Sequence, residues 1–304
     1  MKSIKLSWIV YGLSIIAAIF FACLAYAYFI EPNRLVVKQD SVTIKDWDSA
    51  FDGLKIVMIG DIHGGSNNVT TEKLREIVAK TNEQKADIVV LLGDYISEKN
   101  EGTAESSNAD TLKMPVDTIA ENLAGLNAKY GVYAVLGNHD GWYGDAEIAA
   151  EFARVGYRVL QNEVAVIDKD GKRLKLFGLI DHLKLSKRWD RTSADLKPIA
   201  ESNGEGNLIL LQHSPDIIQV VTGELSISND LRLILAAHTH GGQVWLPVLG
   251  RPIVPSSFGQ KYAYGHVREN DVDMYVTSGV GTSVLPIRFM VPPEIVVLTL
   301  RTEH

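Results

Sequence analysis

Five short polar runs carry the residue types that hydrolytic metal chemistry needs: Gly60-Asp61-Ile62-His63, Gly93-Asp94, Gly137-Asn138-His139-Asp140, Gln212-His213 and His238-Thr239-His240. Carboxylates, neutral imidazoles and an amide oxygen are the donors that hard-to-borderline divalent cations take, and no thiolate is among them. Asp61 and His63 stand two apart on an extended segment, so their side chains share a direction, as do those of His238 and His240. A carboxylate between these pairs, for which Asp94 is the candidate, could bridge two ions held roughly 3.5–4 Å apart, the spacing of two-metal hydrolysis.

Each of these residues alone has a plainer reading. A histidine near a strand end is more often a hydrogen-bonded core or surface residue, and an aspartate after glycine is usually a turn or helix cap. The grouping argues otherwise, because five of the eight histidines fall at strand exits beside Asp or Asn. His182 and His266 lie outside the pattern and read as structural, and His304 as a terminal residue.

What must position the motifs is a set of buried strands, each ending where a polar run begins. Apolar runs at Leu54 to Ile59, Asp87 to Leu92 and Val132 to Leu136 precede the first three motifs, and Leu208 to Leu211 and Leu231 to Ala236 precede the last two. Further strands are read at Leu174 to Leu179, Asp273 to Thr277 and Ile295 to Leu300, after an extended stretch from Arg34 to Ile44. Helical periodicity is read at Glu72 to Gln84, Val116 to Leu126, Ala146 to Arg154 and Pro215 to Val221. Ser97 to Asp110 is polar and aperiodic, and reads as an exposed loop. Alternating strands and helices define an α/β domain, in which ligands bind beyond the strand carboxyl ends. The five motifs would then meet at one edge.

A chain of 304 residues with 46% hydrophobic and 22% charged content can bury a full core. No repeat or linker divides it. The net charge of -7 and pI near 5.6 argue against a surface that neutralises a nucleic-acid backbone. A small anionic substrate stays compatible, because bound cations supply local positive charge. The single cysteine, Cys23, permits no disulfide framework and no cysteine-built metal site.

From Trp8 to Ile30 the chain is almost continuously apolar and uncharged, long enough as a helix to cross a hydrocarbon core of roughly 30 Å. It reads as a transmembrane helix over residues 1–30, followed by a linker and first strand over 31–53 and a catalytic domain over 54–304. Lys2 and Lys5 before the run place the amino terminus in the cytoplasm and the domain outside an inner membrane, although Arg34 and Lys38 weaken the asymmetry. A cleavage site at Ala25-Tyr26-Ala27 and a lipid-attachment site at Cys23 are the rival readings, and both also export the domain.

Taken in order, Gly60-Asp61-x-His63, Gly93-Asp94, Gly137-Asn138-His139-Asp140, His213 and His238-x-His240 resemble the motif series of the calcineurin-like metallophosphoesterases, from Leu54 to the C-terminus. The resemblance implies a four-layer αββα sandwich with two central mixed sheets. It implies one metal held by Asp61, His63 and His240, a second by Asn138, His213 and His238, and Asp94 as the bridge. His139 would protonate or hydrogen-bond the leaving oxygen while a hydroxide shared by the metals attacks phosphorus in line. The ligand set is open to Mn, Fe, Zn or Ni ions.

Two departures refine the expectation. The Asp-Arg-Gly run that protein phosphatases of this superfamily carry after the second motif is absent here, where Gly93-Asp94 continues as Tyr95-Ile96, which argues against a phosphoprotein phosphatase. Ala237 stands in place of the usual glycine before the last histidine pair, a small change expected to leave metal binding intact. Gly241-Gly242-Gln243, Gly279 to Arg288 and Pro293-Glu294-Ile295 resemble a bacterial branch with an N-terminal membrane segment, whose members are phosphodiesterases or act on nucleotide-linked glycolipids. The expected function is hydrolysis of a phosphodiester or pyrophosphate at the membrane surface, on a lipid-linked or nucleotide-linked substrate. A phosphomonoesterase and a non-catalytic metal-binding scaffold are the alternatives. Arg288 is read as a phosphate clamp or a surface ion pair, and Trp142 and Tyr143 as an acceptor groove or as packing aromatics.

Overall fold

The computed structural model describes residues 6–99, 109–185 and 188–303. Lys2 and Lys5, on which the orientation reading rests, and most of the polar loop read at Ser97 to Asp110 lie outside the described residues. Seven α-helices occur among the described residues: α1 (Leu6–Ala25), α2 (Thr71–Glu83), α3 (Val116–Leu123), α4 (Asn138–Tyr143), α5 (Asp145–Arg154), α6 (Trp189–Ala200) and α7 (Ile218–Val221). Twelve strands accompany them: β1 (Val36–Ile44), β2 (Lys55–Ile59), β3 (Ile88–Leu92), β4 (Val132–Val135), β5 (Arg158–Val159), β6 (Glu163–Lys169), β7 (Lys172–Gly178), β8 (Asn207–Leu211), β9 (Leu231–Ala236), β10 (Gly265–Glu269), β11 (Val272–Val276) and β12 (Glu294–Thr302).

The strands form two six-stranded sheets, ordered β1-β12-β2-β3-β4-β5 and β10-β11-β9-β8-β7-β6. In the first, β2 to β5 run parallel and β12 enters antiparallel to β2. In the second, β7, β8, β9 and β11 run parallel, with β6 and β10 antiparallel at the edges.

Strand alternation decides which side chain faces which layer. In β2, Ile56 and Met58 face the space between the sheets, while Val57 and Ile59 face the opposite way. In β3, Ile88, Val90 and Leu92 meet Leu174, Leu176, Ile209, Leu211, Leu233 and Leu235 of the second sheet in the central core. Val89 and Leu91 pack instead under α2, α3 and α5, against Leu74, Ile77, Ile119, Ile148 and Phe152. The outer face of the second sheet is covered by Leu196 and Ala200 of α6 and Ile218 and Val221 of α7. The molecule is thus the four-layer αββα sandwich that the motif series implied.

The first β-strand and β12 pair in parallel over nine residues, so the segment that follows the apolar N-terminal helix is an edge strand of the first sheet. β5, β6, β10 and α6 carry no clear signal in the sequence. β5 is only two residues long, and β6 and β10 are edge strands whose solvent side is polar. α6 contains Pro198 and sends few apolar side chains to the core.

α1 stands away from this body, and the helical run from Trp8 to Asn33 has the length and hydropathy to cross a membrane, with 6% of its most apolar window buried. From Trp8 to Ala25 every side chain but that of Cys23 is exposed, and just beyond, Ala27, Glu31 and Pro32 are buried.

Candidate metal centre

The ends of β2, β3, β4, β8 and β9 converge at one edge of the sandwich, and all eight residues singled out for chemistry meet there. The turns are tight enough that Asp61, His63, Asp94, His238 and His240 all have positive φ, between 47° and 72°. Non-glycine residues rarely take this conformation, and its recurrence at five positions of one site marks backbone strain held by the surrounding fold. Two glycines make room for it. A Cβ on Gly93 would lie 2.5 Å from the amide nitrogen of Gly137, and one on Gly137 would collide with the Asp94 carboxylate.

Asp94 sits at the middle. Its Oδ2 is 3.1 Å from His213 Nε2 and 3.6 Å from His63 Nε2, and its Oδ1 accepts the His139 amide at 3.0 Å. On one side, His63 Nε2 and His240 Nε2 approach to 3.2 Å, and Asp61 completes a cluster with them. On the other, His213 Nε2 lies 3.1 Å from His238 Nδ1, and Asp94 completes that cluster. Nitrogens bound to a common cation at about 2.0–2.1 Å stand roughly 3 Å apart, so both imidazole pairs are already spaced as neighbours in a coordination shell.

The orientation of the imidazoles is fixed from behind. His63 Nδ1 donates to the carbonyl of Ile96 at 3.0 Å and His213 Nδ1 to that of Leu92 at 2.8 Å, which turns each Nε2 lone pair toward the centre. Four buried polar atoms of the site have no partner among the described residues: Asp61 Oδ2, Asn138 Oδ1, His139 Nδ1 and His240 Nδ1. Orphaned buried acceptors are costly and rare. Asp61 Oδ2 and Asn138 Oδ1, with the surrounding imidazoles and no cysteine, fit a pair of divalent cations.

Burial pushes the Asp61 carboxyl up to about 7, against the pull of His213. Burial acts on Asp94 in the same sense, yet the imidazoles of His213, His139 and His63 outweigh it and hold that carboxyl well below the usual carboxylate range. Burial disfavours a charged His213, but Asp94 and Asp61 overcome it and lift the imidazole to about 10. Burial and the charge on His213 push His238 down to about 3, and burial with His63 depresses His240. The metal-free site therefore concentrates its proton on His213 beside an ionised Asp94.

Two residues act one layer out. Asp140 is fully buried, and its carboxylate accepts the amides of Asp94, Tyr95 and Gly137 at 2.8–2.9 Å, tying the second motif to the third. Arg288 is neither a phosphate clamp nor a surface ion pair. Its guanidinium is completely buried and donates to the carbonyls of Ser278, Gly279, Gly281 and Val291, which fixes the loop after β11 that packs on Asp61. Within the run Gly279 to Arg288, the arginine is thus structural support, while Ser283, Val284 and Leu285 face the cavity. A buried cation among carbonyls cannot be told from a substrate-facing one by sequence.

The centre opens into a cavity of about 580 Å³ whose wall carries His139, Trp142, His182, Gln243, Ile253 and Leu285. Trp142 is half exposed on this wall, whereas Tyr143 packs against the first-sheet core, so the two aromatics divide the roles read for them. His182, read as structural, lies with its ring 5.6 Å from that of His238 and bonds Asp181 at 3.2 Å. Its position just past the end of β7 was the signal available, the same strand-exit placement as His213. His266 pairs with Asp273 at 2.7 Å and stays structural.

Residues 54–242 match the family described as calcineurin-like phosphoesterase, and the chain belongs to that family of hydrolases. Among its relatives, it is 31% identical over 281 residues to "Uncharacterized metallophosphoesterase YkuE" of Bacillus subtilis, spanning 92% of this chain and 90% of that one. It is 26% identical to "Phosphodiesterase YaeI" of Escherichia coli, with 90% and 92% of the two chains covered. The "Transmembrane protein with metallophosphoesterase domain" of Danio rerio is 27% identical over 89% of this chain, which spans 58% of that relative.

Proposed function

We propose that this protein is a two-metal hydrolase of phosphodiester or pyrophosphate bonds, held at the membrane by α1. The observation that carries the reading is Asp94, whose carboxylate reaches both histidine clusters while Asp61 Oδ2 and Asn138 Oδ1 beside it lack partners among the described residues. In this assignment Asp61, His63 and His240 hold one ion, Asn138, His213 and His238 the other, and Asp94 bridges them. Mn, Fe, Zn or Ni ions all suit the donor set. When bound, the cations neutralise phosphoryl charge and make hydroxide available near neutral pH.

The chain's own residues do the rest. His139, its amide held by Asp94 and its ring edge-on to His63 and beside Trp142, gives a proton to the leaving oxygen from the cavity side. Ser283 Oγ, 3.5 Å from His139 Nε2, steadies that ring. The apolar wall formed by Trp142, Ile253 and Leu285 supports an amphipathic substrate, lipid-linked or nucleotide-linked. Residues 1–30 serve as a single-pass inner-membrane anchor, 31–53 as linker and first strand, and 54–304 as the catalytic domain outside the cytoplasm. The named phosphodiesterase among the relatives supports the choice of a diester.

The test uses the full chain in detergent, stripped of metal and resupplied with Mn ions, on a chromogenic phosphodiester and a phosphomonoester side by side. Metal-dependent cleavage favouring the diester is expected. Preference for the monoester would replace the reading with a phosphomonoesterase, and two bound metals without turnover of any phosphate ester would leave a scaffold.

A further inference from the structure

The mouth of the cavity is ringed by large apolar side chains turned to solvent. Ile253 is 67% exposed, Val284 82% and Leu285 46%, and all three line the cavity. Just outside it, Val248 is 104% exposed, Leu249 66% and Met290 50%. Single exposed apolar residues are ordinary, but six around one opening mark an interaction surface.

The backbone that presents them is strained for the purpose. Val248, Val284 and Met290 have positive φ of 74°, 62° and 56°. A β-branched residue in that region is a genuine outlier, held only where the surroundings over-determine it. The Leu246 and Gly250 backbones exchange hydrogen bonds at 2.7 and 2.8 Å, closing a short hairpin with Val248 and Leu249 at its tip. Such a hairpin carries two bulky apolar groups outward with no core to receive them.

The same rim is joined to the end of the membrane helix. The Arg288 amide donates to the carbonyl of Ala27 at 3.0 Å, and Asn67 Nδ2 links the carbonyls of Tyr28 and Pro286 at 3.0 and 2.7 Å. Tyr26 and Phe289 meet edge to face at 6.2 Å between centroids. Phe289 in turn bonds both Gln243 and Trp245, at the foot of the hairpin, at 2.9 Å. An unbroken surface therefore runs from the exit of α1 through residues 284–290 to Val248 and Ile253.

We propose that this rim is a second membrane contact, which seats the mouth of the cavity in the lipid interface beside the anchor. The occupant is the bilayer, because the patch is joined by hydrogen bonds and ring packing to residues 26–28, where the helix proposed to cross it ends. Tyr26 and Tyr28 at the end of that helix are side chains of the kind enriched at such an interface. The acyl part of a lipid-borne phosphoester could then pass from the leaflet along Leu285 and Ile253 to the metals without crossing water. This inference rests on α1 as an anchor and not on the identity of the hydrolysed bond.

The test places nitroxide labels on the full chain in lipid nanodiscs, in a Cys23→Ser background, one site at a time: Ile15→Cys, Leu249→Cys, Met290→Cys and Glu205→Cys at the opposite end. Thermal unfolding confirms that each variant is folded. Collision with oxygen should exceed collision with a water-soluble nickel chelate at positions 249 and 290, as at 15, with nickel access several-fold below that at 205. Nickel access at 249 and 290 equal to that at 205, with 15 shielded, overturns the rim while sparing the anchor. Open nickel access at 15 overturns both and leaves the hydrolase reading untouched. Mutual broadening between labels at 249 would assign the patch to a second copy of the chain and also overturn it.

Discussion

Arg288 reaches the carbonyl of Gly281 from both Nε and Nη2, at 3.0 and 2.7 Å, and the Gly281 amide donates to the carbonyl of Asp61 at 2.6 Å. One buried cation thus sets the height of an aspartate of the candidate metal centre that it never touches. Arg288→Met removes the guanidinium from four clustered carbonyls and leaves only that of Gly279 with a donor, the Glu294 amide, with an expected loss of about 3 kcal/mol or more of stability. Urea unfolding measures it. A normal midpoint with a raised KM would instead restore the phosphate-clamp reading.

His139→Ala is expected to keep its metals and lose roughly 10²- to 10⁴-fold in kcat. Asp94→Ala is expected to lose metal occupancy as well as turnover. Metal analysis of the two purified variants separates them, and equal content would remove Asp94 from the bridge.

Asp140→Ala strands the amides of Asp94, Tyr95 and Gly137 in the core. A buried donor without a partner costs about 1–3 kcal/mol, and supporting residues of this kind are worth about 10- to 100-fold in metal affinity. Asp140→Asn keeps one acceptor oxygen and should fall between the two in metal titrations.

The pH dependence of the metal-free protein follows from His213, whose imidazole is lifted to about 10 after burial is outweighed by Asp94 and Asp61. A folded-state value above the unfolded one, about 6.5, gives a contribution fully present below that lower value and lost as pH rises through the higher. The melting temperature should fall between pH 7 and pH 10, and Asp94→Asn should flatten the slope. Metal binding at pH 7 should also release protons from His213 and from Asp61, which is held up to about 7 chiefly by burial. Calorimetry in buffers of different ionisation enthalpy reads that release, and binding without proton loss would contradict the pairing.

The candidate centre was legible because its residues sit at strand exits, where short motifs interrupt long apolar runs. The central strands β2, β3, β8 and β9 are buried on both faces, so their runs stand out. β6 and β10 are hidden by polar edges, and α6 by Pro198 and a thin apolar stripe. His182 looked isolated because its neighbour His238 arrives from another strand. Ala237 illustrates a substitution that local reading could weigh only in part. Its methyl group belongs to the core between the sheets, 2.6 Å from where a Cβ on Gly60 would stand, so one side of that contact must stay bare.

The place of β12 between β1 and β2 has a consequence for biosynthesis. β1 follows the apolar helix directly, yet its ladder partner lies at Glu294 to Thr302, near the far end of the chain. During synthesis, β1 must wait with its edge unpaired while the rest of both sheets is made. Such long-range closure is slow and leaves a strand open to misassociation. Chains cut short before β12 should therefore keep β1 unpaired and be degraded faster than the full chain.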